Sequence, residues 1–392
     1  MVSIETVLAV IAAVWVGAFL VKSLLDLRRR EPDEQAKTGL SLSLYPLLLI
    51  VRTRSVAGPL DRLAQRAPRF WDAVSRAAVA TGFGLMAFAI YVLSSNLATY
   101  LFRPEQVGGQ NIVIPLIVGV TIRLDHLPYL FIAFAVVLIT HEGLHGVIAR
   151  REQLPVKSAG IFLVFVVPGG FVEPDEQAFK AASPEARMRV AAVGSFANLV
   201  VGFLTVLAIF GLFVPVEAGL IAVQTEPGSR IAVNEVLVEI DGVPVNSYTV
   251  RSEKVTIGQT LRVKTLSGEY VFETNPEVWG RELILGSVVR GLGITQVDSF
   301  LPLRLQFLDP AASYALYRTL YWLQLVSIGV AVFNMLPIHI LDGSIVLKAL
   351  LERYIKNPRK IFGIANAAAV LCLALLISNI AFTYTFFGFF QI

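Results

Sequence analysis

Three ionisable residues stand together in His141-Glu142-Gly143-Leu144-His145, at the end of an apolar run that begins after Asp125. On a helix the two histidines are four residues apart. Both imidazoles then leave one face about a turn from each other, which suits two ligands of a tetrahedral zinc ion. Glu142 falls beside them, where a carboxylate can take a proton from an attacking water and later pass it to a leaving amine. A His-Glu-x-x-His pattern also arises by accident in helices. Here the chain has only four histidines and places two of them in this motif. Three ionisable groups at membrane depth are costly without a compensating partner such as a metal.

Two histidines leave zinc short of a protein ligand, because catalytic sites usually supply three and keep the fourth position for water. The best candidate is Asp342, in Asn334-Met335-Leu336-Pro337-Ile338-His339-Ile340-Leu341-Asp342-Gly343 at the end of an apolar run. Read alone, an aspartate before glycine is a helix-terminal turn, with Pro337 breaking the helix and Gly343 permitting an unusual backbone angle. Beside an unfinished zinc site the ligand reading is favoured. His339 competes for the same vacancy and ranks below Asp342, as a packed or interfacial histidine.

The elements that must position these residues belong to a membrane protein. Of 392 residues 55% are hydrophobic and 16% charged, and the mean hydropathy is +0.68. A net charge of +4 and a single cysteine, Cys372, fit badly with a disordered chain, a disulfide scaffold or a nucleic-acid module. Crossing the hydrocarbon takes about 20 helical residues. About six runs are free enough of charge: Glu5 to Lys22, Arg76 to Arg103, Asp125 to His141, Arg189 to Glu217, Arg318 to Asp342, and Ile361 to the C-terminus. Leu40 to Val51 and Asn111 to Ile122 are too short to cross and read as interfacial or re-entrant segments.

Basic flanks orient the spans. Lys22, Arg28, Arg29, Arg30 and then Arg52, Arg54, Arg62, Arg66 and Arg69 put residues 22–76 in the cytoplasm. Arg150, Arg151, Arg187, Arg189, Lys356, Arg359 and Lys360 fall on the same side by alternation. The N-terminus lacks a positive n-region and carries Glu5, which reads as a retained anchor with its start outside. The fold class expected is therefore an α-helical polytopic membrane protein with an inserted, small, extracytoplasmic β-rich domain. Its parts are an anchor and basic segment (1–76), a first membrane part (77–216), the insert (217–309) and a second membrane part (310–392). In the insert, Val236 to Ile240 is a strand turning at Asp241-Gly242 into Val243-Pro244-Val245, and Leu261 to Thr265 with Tyr270 to Glu273 flank Ser267-Gly268 as a hairpin. The run from Glu239 to Val245 resembles the central strand and turn of a PDZ domain, with Gly219-Leu220 as a degenerate peptide-binding loop. Gly160 to Val172 is apolar yet holds Pro168, Gly169 and Gly170, and reads as a re-entrant strand-like segment beside the zinc.

These residues resemble the site-2 proteases, intramembrane zinc metalloproteases. The resemblance rests on His141-Glu142-x-x-His145, on Asn334-x-x-Pro337-x-x-x-Leu341-Asp342-Gly343, on Pro168-Gly169-Gly170-Phe171-Val172-Glu173, and on Gly194-Ser195-x-x-Asn198. It runs from about Phe131 to Leu350, interrupted by the insert. It implies that His141, His145 and Asp342 hold zinc, that Glu142 is the catalytic base, and that Asn198 orients the substrate carbonyl or stabilises the oxyanion. Ser195 and Ser344 depart from the usual family residues without removing a ligand. The activity implied is cleavage in or near the transmembrane segment of a membrane-anchored protein, toward the cytoplasmic side. The partners are then that substrate, the bilayer and a peptide C-terminus at the PDZ-like insert, with no nucleic acid. A metal-ion transporter is the leading alternative, with ligands spread along several spans and no need for Glu142; an inactive scaffold is the third.

Overall fold

The computed structural model describes residues 13, 15–17, 19–21, 39–45, 47–116, 121–164, 167–305 and 307–389. Contacts divide the chain into two compact units, Met1–Phe203 with Trp322–Ile392, and Leu204–Tyr321. Among the described residues five helices are long and apolar enough to span a membrane, and the expected span between Glu5 and Lys22 falls largely outside them. A short amphipathic helix, α1 (Ala57–Arg66), leads into the first of the five, α2 (Pro68–Phe102). The others are α3 (Leu127–Arg151), α4 (Pro184–Leu212), α5 (Pro310–Phe333) and, after the shorter α6 (Asp342–Tyr354), the last span α7 (Pro358–Phe387). Proline stands at the first or second position of α2, α3 and α7, where its missing N–H breaks no helical bond.

Small residues let these helices approach. Ala78, Ala149, Ala191, Ala192, Ala331 and Ala349 are buried in the core of the first unit with Ile148, Met188, Met335 and Val346. A Cβ on Gly82 would lie 3.1 Å from Met335 Sδ and 3.2 Å from Ala192 Cβ, so α2 passes close to its neighbours there. Such contacts drive helix association where lipid is as apolar as the protein. At one end the helices are linked by charge: Arg150 to Asp61, Arg151 Nε to Asp72 at 2.9 Å, Arg189 to Glu152 at 2.9 Å, Arg187 to Glu352, and Arg353 to Glu185 at 3.2 Å. Arg150, Arg151, Arg187 and Arg189, which read as topology signals, are thus also pinned to acids on α1, α2 and α6 or at the end of α3.

Leu40 to Val51 and Gly160 to Val172 belong to one sheet. Strands β1 (Leu40–Tyr45) and β2 (Leu48–Thr53) form a hairpin, β3 (Val156–Val164) and β4 (Val167–Pro174) form another, and the order is β1-β2-β3-β4, all antiparallel. Its two turns lie at the same end, where Leu48 faces both Tyr45 and Val164 and Val164 faces Val167. That end is apolar. The opposite end carries Arg52, a Ser158 hydroxyl donating to Glu173 at 2.6 Å and a Lys157–Asp175 pair at 2.8 Å. A polar root and apolar tip suit a sheet that dips into lipid. The other short segment, Asn111 to Ile122, forms no α-helix where described: Asn111 Nδ2 donates to Asn96 Oδ1 at 2.9 Å, Tyr100 donates to the Asn111 carbonyl at 2.7 Å, and Val113 N–H donates to Thr383 Oγ1 at 3.0 Å.

In the second unit five strands run in the order β8-β7-β6-β5-β9, with β5 Gly219–Thr225, β6 Val236–Ile240, β7 Thr260–Thr265, β8 Glu269–Glu273 and β9 Ile294–Phe300. The turn after β6 takes left-handed angles at Asp241 (φ 45) and Gly242 (φ 82), so that Val243 and Pro244 fold back on Ile240 and Glu239. Leu237, Ile240, Leu261, Val263, Leu285, Val288 and Ile294 are buried in its core. Arg318, at the start of α5, is buried against Asp298 of β9 and stacks over the Tyr314 ring at 5.4 Å. Gly219 and Leu220 do not form an open loop: Gly219 pairs with Phe300, and Leu220 lies between Leu237 and Ser299, inside the sheet. The unit also runs wider than 217–309, because it takes the adjoining ends of α4 and α5.

Candidate metal centre

Helix α3 carries His141, Glu142 and His145. Counting back from Arg151 at its end, the histidines lie about 9 and 15 Å along the axis at 1.5 Å per residue, well inside a helix apolar enough to span a membrane. Their ring centroids are 4.7 Å apart. The third group arrives by a break in the chain. Helix α5 stops at Phe333, Pro337 prevents its continuation, and Gly343 N–H donates to the Asn334 carbonyl at 2.9 Å, closing a loop that starts α6 at Asp342. Asp342 is therefore the first residue of a new helix, and the expected span from Arg318 to Asp342 ends nine residues early. Gly343 does not take a left-handed angle. It is needed because a Cβ there would collide with the Met335 carbonyl.

Asp342 Oδ2 lies 3.3 Å from His141 Nε2 and 3.2 Å from His145 Nε2. One ligand atom from each residue falls within 4.8 Å of the others, so the donor set can hold a metal ion. Two imidazole nitrogens and a carboxylate oxygen are a zinc donor set. His141 is buried, while His145, Glu142 and Asp342 are partly accessible. His339 is exposed and its ring contacts Lys348, 3.4 Å away, so it stands outside the group.

Each ligand has an outer partner. His145 Nδ1–H donates to the Val190 carbonyl of α4 at 2.6 Å, which leaves the Nε2 lone pair for a metal. His141 Nδ1 is 2.9 Å from the side-chain amide of Asn198, which is wholly buried and also 3.4 Å from Thr140 Oγ1. With its oxygen toward the ring, that amide accepts from Nδ1–H and sets the same tautomer. Asn334 Nδ2 donates to Asp342 Oδ2 at 2.9 Å and lies 3.0 Å from His141 Nε2. Glu142 Oε2 accepts from Val172 N–H of β4 at 3.0 Å.

Glycines make these approaches possible. A Cβ at Gly194 would sit 2.7 Å from His141 Nε2 and also strike His145, and one at Gly170 would lie 2.8 Å from Glu142 Cγ. Gly194→Ala thus separates two effects. Alanine in a helix interior gains about 0.5–1 kcal/mol over glycine, yet here the zinc content should collapse. Gly84→Ala on α2, with nothing within 4 Å, should keep the gain and full metal. Zinc per chain and the unfolding temperature of both variants check this; full zinc in Gly194→Ala would be inconsistent with the geometry.

The pairing of β4 shows where a peptide could join the sheet. Val172 N–H points away from β3 to Glu142, so Pro168, Gly170 and Pro174, which share its parity, also turn their backbone to the free side. Prolines at such positions forfeit no ladder bond. The segment Ile161 to Val164, in contrast, is paired on both sides, with β2 and β4, and offers no edge.

The sequence profile of peptidase family M50 matches residues 129–377, more than half of the chain. The chain belongs to peptidase family M50. Membership implies an intramembrane metalloprotease, and the matched span holds every candidate ligand and outer partner described above, together with Gly170, Gly194 and Gly343. An uncharacterized protein of Methanocaldococcus jannaschii is 29% identical over 234 residues, 58% of this chain. The chain thereby spans 59% of that relative's length. The M50 motifs now have physical reasons. Asn334, quoted as the start of one motif but given no role, is the residue that composition and spacing missed. Its eight-residue distance from Asp342 is closed by a loop held by the Gly343–Asn334 bond among others.

Proposed function

We propose that this M50 protein is a zinc endopeptidase that hydrolyses a peptide bond within or beside the transmembrane segment of membrane-anchored proteins. The observation that carries the reading is the convergence of His141, His145 and Asp342 on one point, with the Glu142 carboxylate on the same helix turn. Zinc held by these three residues supplies Lewis acidity, lowering the pKa of water and polarising the scissile carbonyl. Glu142, held by Val172 N–H, takes the proton of the attacking water and returns it to the departing amine. Asn198, enclosed against His141, acts through that ring and not on the substrate carbonyl. A helical substrate must be extended before its carbonyl reaches the site, and the free edge of β4 at Gly170 is the place for that strand to pair. The edge is on β4, not on the segment from Ile161 to Val166, part of which lies outside the described residues.

The same reading places the metal toward the cytoplasmic side, because the charged ends of α3, α4 and α6 gather nearest to it. It places the β-rich insert outside, where a PDZ-like unit would filter substrates by size or hold newly made C-termini. The test uses purified full-length protein and a model transmembrane substrate. Chelation should abolish cleavage, and stoichiometric zinc should restore it. Cleavage that persists through chelation, with zinc removal verified, would sink the proposal.

A further inference from the structure

A second site lies away from the metal. Between α6 and the first turns of α7 is a pocket of about 560 Å³ lined by Lys348, Glu352, Ile355, Lys356, Ile361 and Phe362, among others. Its charge is one-sided. Glu352 is already engaged by Arg187, whose two terminal nitrogens reach both carboxylate oxygens. Lys348 Nζ lies 3.4 Å from the His339 ring, which brings no opposing charge, so the cavity is lined by Lys348 and Lys356 with no carboxylate free to neutralise them, and exposed Arg359 and Lys360 stand just beyond. The other half is apolar, and Phe362 is 63% exposed at its rim. The place matters as much as the lining. Pro358 opens the most apolar of the five candidate spans among the described residues, so with α7 crossing the bilayer the pocket sits where hydrocarbon meets water.

Two amines without a free acid call for an anion, and compact ammonium groups are suited to phosphate. A soluble phosphate would satisfy the lysines and leave Ile355, Ile361 and Phe362 unmatched. An amphiphile satisfies both halves, and basic pockets beside transmembrane helices at the membrane surface take anionic headgroups. The cavity volume falls within the range of ligand sites. We propose that this pocket binds the phosphate headgroup of an anionic phospholipid, with the lipid's apolar part against Ile361 and Phe362. The lipid would bridge α6 to α7. Lys348 is six residues, about 9 Å, along α6 from Asp342, so a bound lipid steadies the helix that carries the third ligand. That last consequence rests on the proposed function; the binding itself does not.

The test uses the full-length protein in nanodiscs of phosphatidylcholine with increasing phosphatidylglycerol, with retained phosphatidylglycerol counted by native mass spectrometry. Lys348→Gln with Lys356→Gln should weaken retention about thirtyfold, the loss expected when two lysines no longer face an anionic headgroup. Lys356→Gln alone, at an exposed position, should give a smaller loss and guards against misfolding of the double variant. Lys254→Gln with Lys264→Gln, the same charge change in the insert, should have no effect. Phe362→Ser should weaken retention of the lipid while leaving binding of glycerol phosphate unchanged. Retention unaltered in the double variant overturns the proposal. So does displacement of the lipid by millimolar glycerol phosphate from the wild-type protein, which would mark the site as one for soluble phosphate.

Discussion

Replacing Asp342 with asparagine should cost the protein its zinc and its peptidase activity while leaving the fold intact. The change keeps the shape and removes the only negative charge among the three donors. In a site screened from bulk water that charge offsets a dication and favours its transfer out of solvent. The loop that delivers the residue is held by backbone bonds, Gly343 N–H to Asn334 and Leu341 N–H to Ile338, both 2.9 Å, and does not need the carboxylate. The unfolding temperature in excess metal should therefore move little relative to metal-free wild type. Asn334→Ala sets the scale: it removes the amide that holds Asp342 Oδ2, and loss of such an outer partner typically costs about 10–100-fold in affinity. Asp342→Asn should exceed that. Zinc per chain after dialysis against a graded series of buffered zinc resolves the order. Wild-type zinc affinity in Asp342→Asn would remove the residue from the coordination sphere and leave the two histidines without the carboxylate the peptidase reading requires.

What could be read from the residues, and what could not, follows from how local each signal is. His141, Glu142 and His145 lie within one turn and a half of helix, so their spacing alone sets their geometry. Asp342 is far along the chain and became legible only beside an unfinished zinc site, because nothing in its own surroundings distinguishes a ligand from a helix start. That Leu40 to Val51 and Gly160 to Val172 are not spanning helices was legible, the first from an apolar length too short to cross and the second from Pro168, Gly169 and Gly170 within it. Their union in one sheet was not, since pairing across more than a hundred residues leaves no periodicity in either strand. Glycines were misread in one respect: Gly343 serves close approach to a carbonyl and not a special angle. Gly219 illustrates the opposite limit. A glycine before a strand reads as a binding loop, yet Gly219 pairs with Phe300 of β9 and Leu220 after it lies between β6 and β9.

Glu142→Gln should abolish hydrolysis without disturbing the metal, and it separates the readings of this site more sharply than any ligand change. Glutamine is close to isosteric, and its side-chain oxygen can still accept from Val172 N–H, 3.0 Å from the present carboxylate. Gly170 leaves the same room beside Cγ. The amide cannot take a proton from water at neutral pH or hand one to an amine. General acid–base catalysis contributes about 10²–10⁴-fold, so the turnover of a model transmembrane substrate should fall by at least that factor, about 3–5 kcal/mol in the barrier. Zinc stoichiometry should equal that of wild type, because Glu142 is not among the clustered donors. A transporter built on the same three ligands would move zinc across liposomes at an undiminished rate in this variant, since passage of the ion needs no proton shuttle at that position. An inactive scaffold would show no cleavage with either residue. Zinc-loaded Glu142→Gln that cleaves at the wild-type rate would mean the proton leaves the water by another route, and the described partners of the two rings offer none: Asn198 and Asn334 are amides, and the ring nitrogens of both histidines are committed to Asn198, Val190 and the Asp342 side.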